Sequence, residues 1–185
     1  MSVAVVTGAG RGMGRACVDA VRTVADLVIA ADLVAPEIDG CIGMACDVSD
    51  AAAVGALASR ATELGPLRAL VHAAGISPTM GDPRAVFAVD LVGTQLVLDA
   101  LTPLATTGSV AVCFASTAAH HIVPFATAES DALVDAPLAP DFLDRAVAMF
   151  NDSGLAYAVA KRGVRLRARR SQEPDSYGVL QQARR

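Results

Sequence analysis

Residues 157–161 read YAVAK, a tyrosine four positions before a lysine. A free phenol loses its proton near pH ~10, which makes it a poor base at neutral pH. An ammonium close by stabilises the phenolate and draws its ionisation toward the working range. On a helix, positions i and i+4 share a face, so Tyr157 and Lys161 would point into one cleft. Of the 15 lysines and arginines in the chain, Lys161 is the only lysine. A compact ammonium on a flexible stem reaches a pair of sugar hydroxyls where a planar guanidinium fits poorly.

The second constellation is TGAGRGMG at residues 7–14, between an apolar strand and a helical segment. In that context Gly8 allows a tight turn, Gly12 lets a pyrophosphate approach the backbone, and Gly14 lets the helix pack against the strand. Free N–H groups and the positive dipole end of the helix would face the phosphates, with Arg11 and Met13 in the same loop. Asp32 ends the second strand, where a carboxylate accepts hydrogen bonds from adenosine ribose hydroxyls and repels the extra phosphate of NADP. Arg11 argues the other way, because a basic residue in the loop can assist a 2′-phosphate. Contact repulsion from Asp32 outweighs one mobile arginine, so NAD is expected in preference to NADP. Asp47 and Val48 follow the third strand. They would hold the adenine ring, or Asp47 would serve as a helix N-terminal acid; the residues leave both open.

The elements that must position these groups follow from the apolar pattern. Strands are expected at 3–6, 27–32, within 41–48, within 67–75 and at 109–116. Helical periodicity covers 13–24, 50–64 (capped by Ser49 or Asp50) and 84–104. The strands are nearly all apolar and alternate with helices, which argues a parallel sheet covered on both faces. Residues 117–156 interrupt this rhythm with Pro124, Pro137 and Pro140. A helical piece near 126–135 and a helix starting near Asp141 are expected there. A further helix spans 154–170, and the tail 171–185 has little periodicity.

Four segments in this order resemble the short-chain dehydrogenase/reductase family, from residue 2 to about 170. TGAGRGMG resembles its TGxxxGxG loop. HAAG (72–75) resembles its NAAG segment, with His72 in place of Asn. Ser116, closing the fifth strand, stands where the family has a catalytic serine, and YAVAK resembles YxxxK. The resemblance implies an α/β fold: a Rossmann-like, doubly wound parallel sheet in three αβα layers. It implies an NAD-dependent oxidoreductase acting on a secondary alcohol or ketone, with steroid-like compounds among the candidates. Tyr157 would be the general acid/base, Lys161 would hold the nicotinamide ribose, and Ser116 would bind the substrate oxygen. Ala73, Ala74 and Gly75 would line the cofactor. Met80 and Pro78 are weaker cofactor candidates. His120 and His121 would line the substrate mouth or be ordinary loop histidines.

The sequence departs from the family in three places. Asp90, in VDLVG (89–93), replaces an Asn that anchors a proton-relay water, so it is either a relay member or a structural substitute. Ser116 and Tyr157 are 41 positions apart, wider than usual. That insertion resembles the bacterial hydroxysteroid dehydrogenase/carbonyl reductase subgroup, where it would cover an oligomer interface or shape the substrate mouth. After Lys161 nothing resembles the family's sixth strand or Pro-Gly turn. Residues 171–185 read as a different register, as a frameshift would give, and the fifth strand is expected to be an open edge. One domain over 1–170, truncated after the catalytic helix, with an atypical tail, is the expected organisation. The alternative is a weakly active or inactive member that binds a dinucleotide or pairs with another subunit. The family's pairing through its long helices, here near 84–104 and 141–170, implies a homodimer or homotetramer.

Composition agrees. The 185 residues are 54% hydrophobic and 18% charged, enough for a core and too apolar for disorder. Residues 1–160 carry a balance of −10 and residues 161–185 one of +6, but no nucleic-acid motif accompanies the basic end. The N-terminus has no basic n-region, and no run reaches the ~18–20 uninterrupted apolar residues of a membrane span. The four cysteines have no metal-ligand spacing and suit buried thiols in a reducing cytoplasm.

Overall fold

The computed structural model describes residues 1–121, 127–170 and 179–180. Pro124 and most of the tail lie outside them. Strands β1 (Val3–Thr7), β2 (Leu27–Asp32), β3 (Ile42–Ala45), β4 (Leu67–His72) and β5 (Ala105–Cys113) pair in parallel in the order β3-β2-β1-β4-β5. All five residues of β1 are buried, as a central strand covered on both faces requires. Successive strands run one way from β1 and the other way from β4, so the switch point lies between them. In open parallel sheets that is where ligands bind, beyond the carboxyl ends of the strands.

Helix α1 (Gly12–Val21) covers one face, packing Val18 and Val21 on Val6, Ala30 and Val71. Helices α2 (Ala51–Leu64) and α4 (Gly93–Leu101) cover the other, with Leu57, Val97 and Leu101 on Val5, Ile29 and Leu70. Asp50, not Ser49, caps α2; its carboxylate accepts from the Ala52 N–H at 2.8 Å.

Three expectations need correction. The helix expected over 84–104 is broken. Helix α3 (Pro83–Phe87) passes through a π-helical turn (Ala88–Val92) into α4, then a 3₁₀ turn (Thr102–Leu104). The whole stretch Pro83–Leu104 is long and apolar enough to cross a membrane by length and composition, yet half of its most apolar window is buried in the fold. The fifth strand starts at Ala105, not 109, and stops at Cys113, not 116. Its first half is polar and bulged: Thr106 N–H donates to Ser109 Oγ, which donates to the Leu67 carbonyl, and the register shifts beside Leu67 and Ala69. Finally, the tail does contribute a strand. β6 (Val179–Leu180) pairs in parallel with Val110 and Ala111 and covers that part of the edge.

The insertion forms α5 (Ala118–His121), α6 (Ala128–Asp135) and α7 (Phe142–Met149). Thr127 and Ser130 close a capping box on α6. These helices pack on α3 and on α8 (Ser153–Arg170) around Phe87, which meets Phe142 edge-on at 5.9 Å between centroids and Phe150 at 6.4 Å. Arg162 of α8 fastens α6 through both carboxylate oxygens of Asp131. Phe87 is fully buried, so Phe87→Ala should destabilise the fold by about 3–5 kcal/mol in urea unfolding.

Candidate active site

The glycine loop sits at the switch point. Gly8 has φ +69° and Gly12 φ +57°, backbone that side-chain-bearing residues rarely adopt. A Cβ on Gly8 would come within 2.6 Å of the Ala74 nitrogen, so the ends of β1 and β4 touch. A Cβ on Gly14 would come within 2.0 Å of the Gly8 carbonyl oxygen, so α1 starts directly on the loop. The two contacts leave an open cleft of about 400 Å³. Its walls include Gly8, Arg11, Gly12, Met13, Gly14, Asp32, Asp47, Val48, Ala73, Ala74 and Gly75, all expected from sequence. They also include Leu33, Cys46, Ile76 and Val89, which sequence reading missed, and Met80; Pro78 is not among them. Both oxygens of Asp32 are engaged at the rim, Oδ2 by the Gly10 N–H and Oδ1 by the Leu33 N–H, each at 2.8 Å. Asp47 Oδ1 accepts from the Ser49 N–H and hydroxyl, closing the turn before α2 while the residue lines the cleft.

Tyr157 and Lys161 do not line this cleft, but Gly75 joins the two regions. A Cβ there would lie 2.8 Å from Asp90 Oδ1 and 3.2 Å from Lys161 Nζ. Lys161 is buried on α8 and donates to the Phe114 carbonyl at 3.3 Å. Its Nζ stands 3.7 Å from Asp90 Oδ2 and 5.6 Å from the centre of the Tyr157 ring. Asp90 is fully buried in the π-helical turn. Oδ1 accepts from the Ile76 N–H at 2.9 Å, which is a structural bond, and among the described residues Oδ2 has no hydrogen-bond partner. Burial pushes the Asp90 carboxyl above the usual carboxylate range, opposed by Lys161 and the Ile76 N–H.

The turn is tied down by His72. Thr94 donates to the Asp90 carbonyl at 2.8 Å, so its oxygen accepts from His72 Nε2–H at 3.0 Å. His72 Nδ1 then accepts from the Thr7 hydroxyl at 2.8 Å. The histidine thus replaces an Asn as a neutral bridge between β1 and α4. Burial, aided by Lys161, lowers its ionisation from 6.5 to about 3. A lowered folded value contributes stability above pH ~6.5 that is lost as pH falls. His72 should therefore remove about 1.4 kcal/mol per pH unit between pH ~6.5 and ~3. Asp90, shifted the other way, opposes it. Urea unfolding at pH 7 and pH 5 tests this, because His72→Asn should lose the histidine's share of the slope.

Ser116 lies three residues beyond β5, contrary to its expected strand position, and half-buried; its Oγ accepts from the Ala118 N–H at 3.2 Å. It is two residues past the Phe114 carbonyl that holds Lys161. Tyr157 is half-buried against the α3–α8 cluster. His120 and His121 are exposed on α5, His120 against Arg165, and neither borders the cleft. The cysteines are unpaired. Burial pushes Cys113 to about 12 and Cys46 to about 11, so both stay neutral thiols and poor nucleophiles. Among the described residues no group of three His, Cys, Asp or Glu side chains is placed to hold a metal ion.

A family model described as enoyl-(acyl carrier protein) reductase matches residues 8–132, from the glycine loop into α6. Tyr157 and Lys161 lie past the matched stretch. Among solved structures, the 3-alpha-hydroxysteroid dehydrogenase of Pseudomonas sp. B-0831, complexed with NADH, is 26% identical with a TM-score of 0.68; the match covers 92% of this chain and 65% of that one. A short chain dehydrogenase from Burkholderia cenocepacia J2315 in complex with NADP shares the fold at 19% identity and TM-score 0.67, over 96% of this chain and 68% of that one. A protein of Brucella melitensis 16M described as ribose-5-phosphate isomerase is 27% identical with TM-score 0.63, covering 93% and 62%. The sheet order, the glycine cleft at the switch point and the family match together define a Rossmann-like α/β protein. The chain belongs to the short-chain dehydrogenase/reductase family. It spans about two thirds of the length of these solved relatives.

Proposed function

We propose that residues 1–170 form one dinucleotide-binding unit of an NAD-dependent oxidoreductase that interconverts a secondary alcohol and a ketone. The observation that carries this reading is Gly75, which lines the glycine-loop cleft and lies against Asp90 and Lys161. One missing side chain thereby connects a phosphate-binding loop to a tyrosine–lysine pair.

The cleft fits a dinucleotide. Nothing lies within 4 Å of where a Gly12 side chain would project, and the loop opens α1. Its N–H groups would hold the phosphates, and Asp32 would accept from the adenosine ribose hydroxyls through the lone pairs its backbone partners leave. Bound there, the nicotinamide supplies the hydride acceptor or donor. Asp32 supports NAD over NADP. Lys161 would hold the nicotinamide ribose. Tyr157 would accept the proton of the alcohol, or donate it to the ketone oxygen, and Ser116 would orient that oxygen. Likeness to a 3-alpha-hydroxysteroid dehydrogenase makes steroid-like alcohols the first substrates to try. The unpaired cysteines suit a reducing compartment such as the cytoplasm, and the family resemblance supports a homodimer or homotetramer.

A second reading, dinucleotide binding or subunit pairing without turnover, has its own observation. Among the described residues, an apolar groove of about 340 Å³ lies between α1 and the face of β4 and β5, where Val110 is 43% exposed. Parallel sheets bury such faces. Assay of a panel of secondary alcohols, sterols included, with NAD and NADH absorbance as readout, separates the two. Turnover with any of them supports the first reading. NADH binding with no turnover across the panel supports the second.

A further inference from the structure

Asp90 and Lys161 form a buried pair that is lopsided. Lys161 Nζ has the Phe114 carbonyl at 3.3 Å and Asp90 Oδ2 at 3.7 Å, and the phenol-bearing ring at 5.6 Å. Among the described residues Asp90 Oδ2 has no hydrogen-bond partner, and the residue is fully buried, so Lys161 at 3.7 Å is the cation that faces its carboxylate. Among the described residues, His72 from β4 and Cys113 from β5 also face Lys161, and neither carries a charge near neutral pH: His72 ionises at about 3 and Cys113 at about 12. Among the described residues, charged groups of the neighbouring helices are paired away from Lys161. Asp131 of α6 sits on Arg162, and Arg84 of α3 on Asp144.

We propose that Asp90 is a positioning residue that tempers Lys161, holding its charge so that the lysine favours the Tyr157 phenolate less than it would beside a neutral side chain. A carboxylate within reach of an ammonium subtracts from the field that the ammonium exerts on a third group, most strongly where water does not screen it. Asparagine at 90 keeps an oxygen for the Ile76 N–H and removes only the charge. The inference rests on the reading of Tyr157 as the acid/base.

The test needs neither cofactor nor substrate, so a chain that fails to turn over still gives an answer. The chain has two tyrosines and no tryptophan, so Tyr177→Phe leaves Tyr157 as the only tyrosine chromophore. In that background, the phenolate ultraviolet band is followed against pH with Asp90 and with Asp90→Asn. Asp90→Asn should move the midpoint down by about one pH unit. An unchanged or higher midpoint overturns the proposal. If Asp90→Asn does not unfold cooperatively, carbon-13 NMR of the Asp90 carboxyl is read in the otherwise unsubstituted chain and in Lys161→Met. Loss of the ammonium should then raise the Asp90 midpoint by about one pH unit or more. No change would mean that the pair is not coupled.

Discussion

Tyr157→Phe should cut alcohol oxidation by about a thousand-fold, within the 10²–10⁴ range that a positioned acid/base supplies, and leave NADH affinity within about two-fold. The phenyl ring keeps its place in the α3–α8 cluster, so the fold should melt as before. What disappears is the phenol hydroxyl of the ring whose centre stands 5.6 Å from Lys161 Nζ. Comparing kcat and KM with the NADH dissociation constant checks this. A thousand-fold loss in kcat with binding intact assigns proton transfer to Tyr157. Equal activity would give that proton transfer to another group, and Ser116 would be the first to examine.

The second large effect concerns cofactor choice. Asp32→Asn should shift the NADPH-to-NADH affinity ratio toward NADPH by about 10–100-fold, since a like-charge contact at the rim is removed. Asparagine keeps one acceptor oxygen for the Gly10 or Leu33 N–H, so the loop should hold its shape. Arg11, also on the cleft wall, would then be free to favour the added phosphate. Competition titrations with both cofactors measure the ratio. An unchanged ratio would mean that Asp32 does not face the adenosine ribose.

Much of this was legible in the residues. β2 runs from Leu27 to Asp32 as its apolar run indicates, and the glycine loop opens α1 as its spacing indicates. Helix periodicity could not reveal the break at Ala88–Val92, because long-range bonds from His72 and Ile76 hold it. The start of β5 was hidden by Thr106, Thr107, Gly108 and Ser109, a polar stretch made into a strand by pairing with β4. Leu33, Cys46 and Ile76 line the cleft because sheet order brings the ends of β2, β3 and β4 together. No local pattern in the sequence marks them.

The measurement that bears most directly on the account is a titration of the 185-residue chain with NADH and then NADPH, following the cofactor's own emission. The chain contains no tryptophan to overlap it. Saturable binding of one NADH per chain, at least about ten-fold tighter than NADPH, is the expected result. Saturation by neither cofactor, or tighter binding of NADPH, would contradict the assignment of the Gly8–Gly14 cleft and Asp32 as an NAD site.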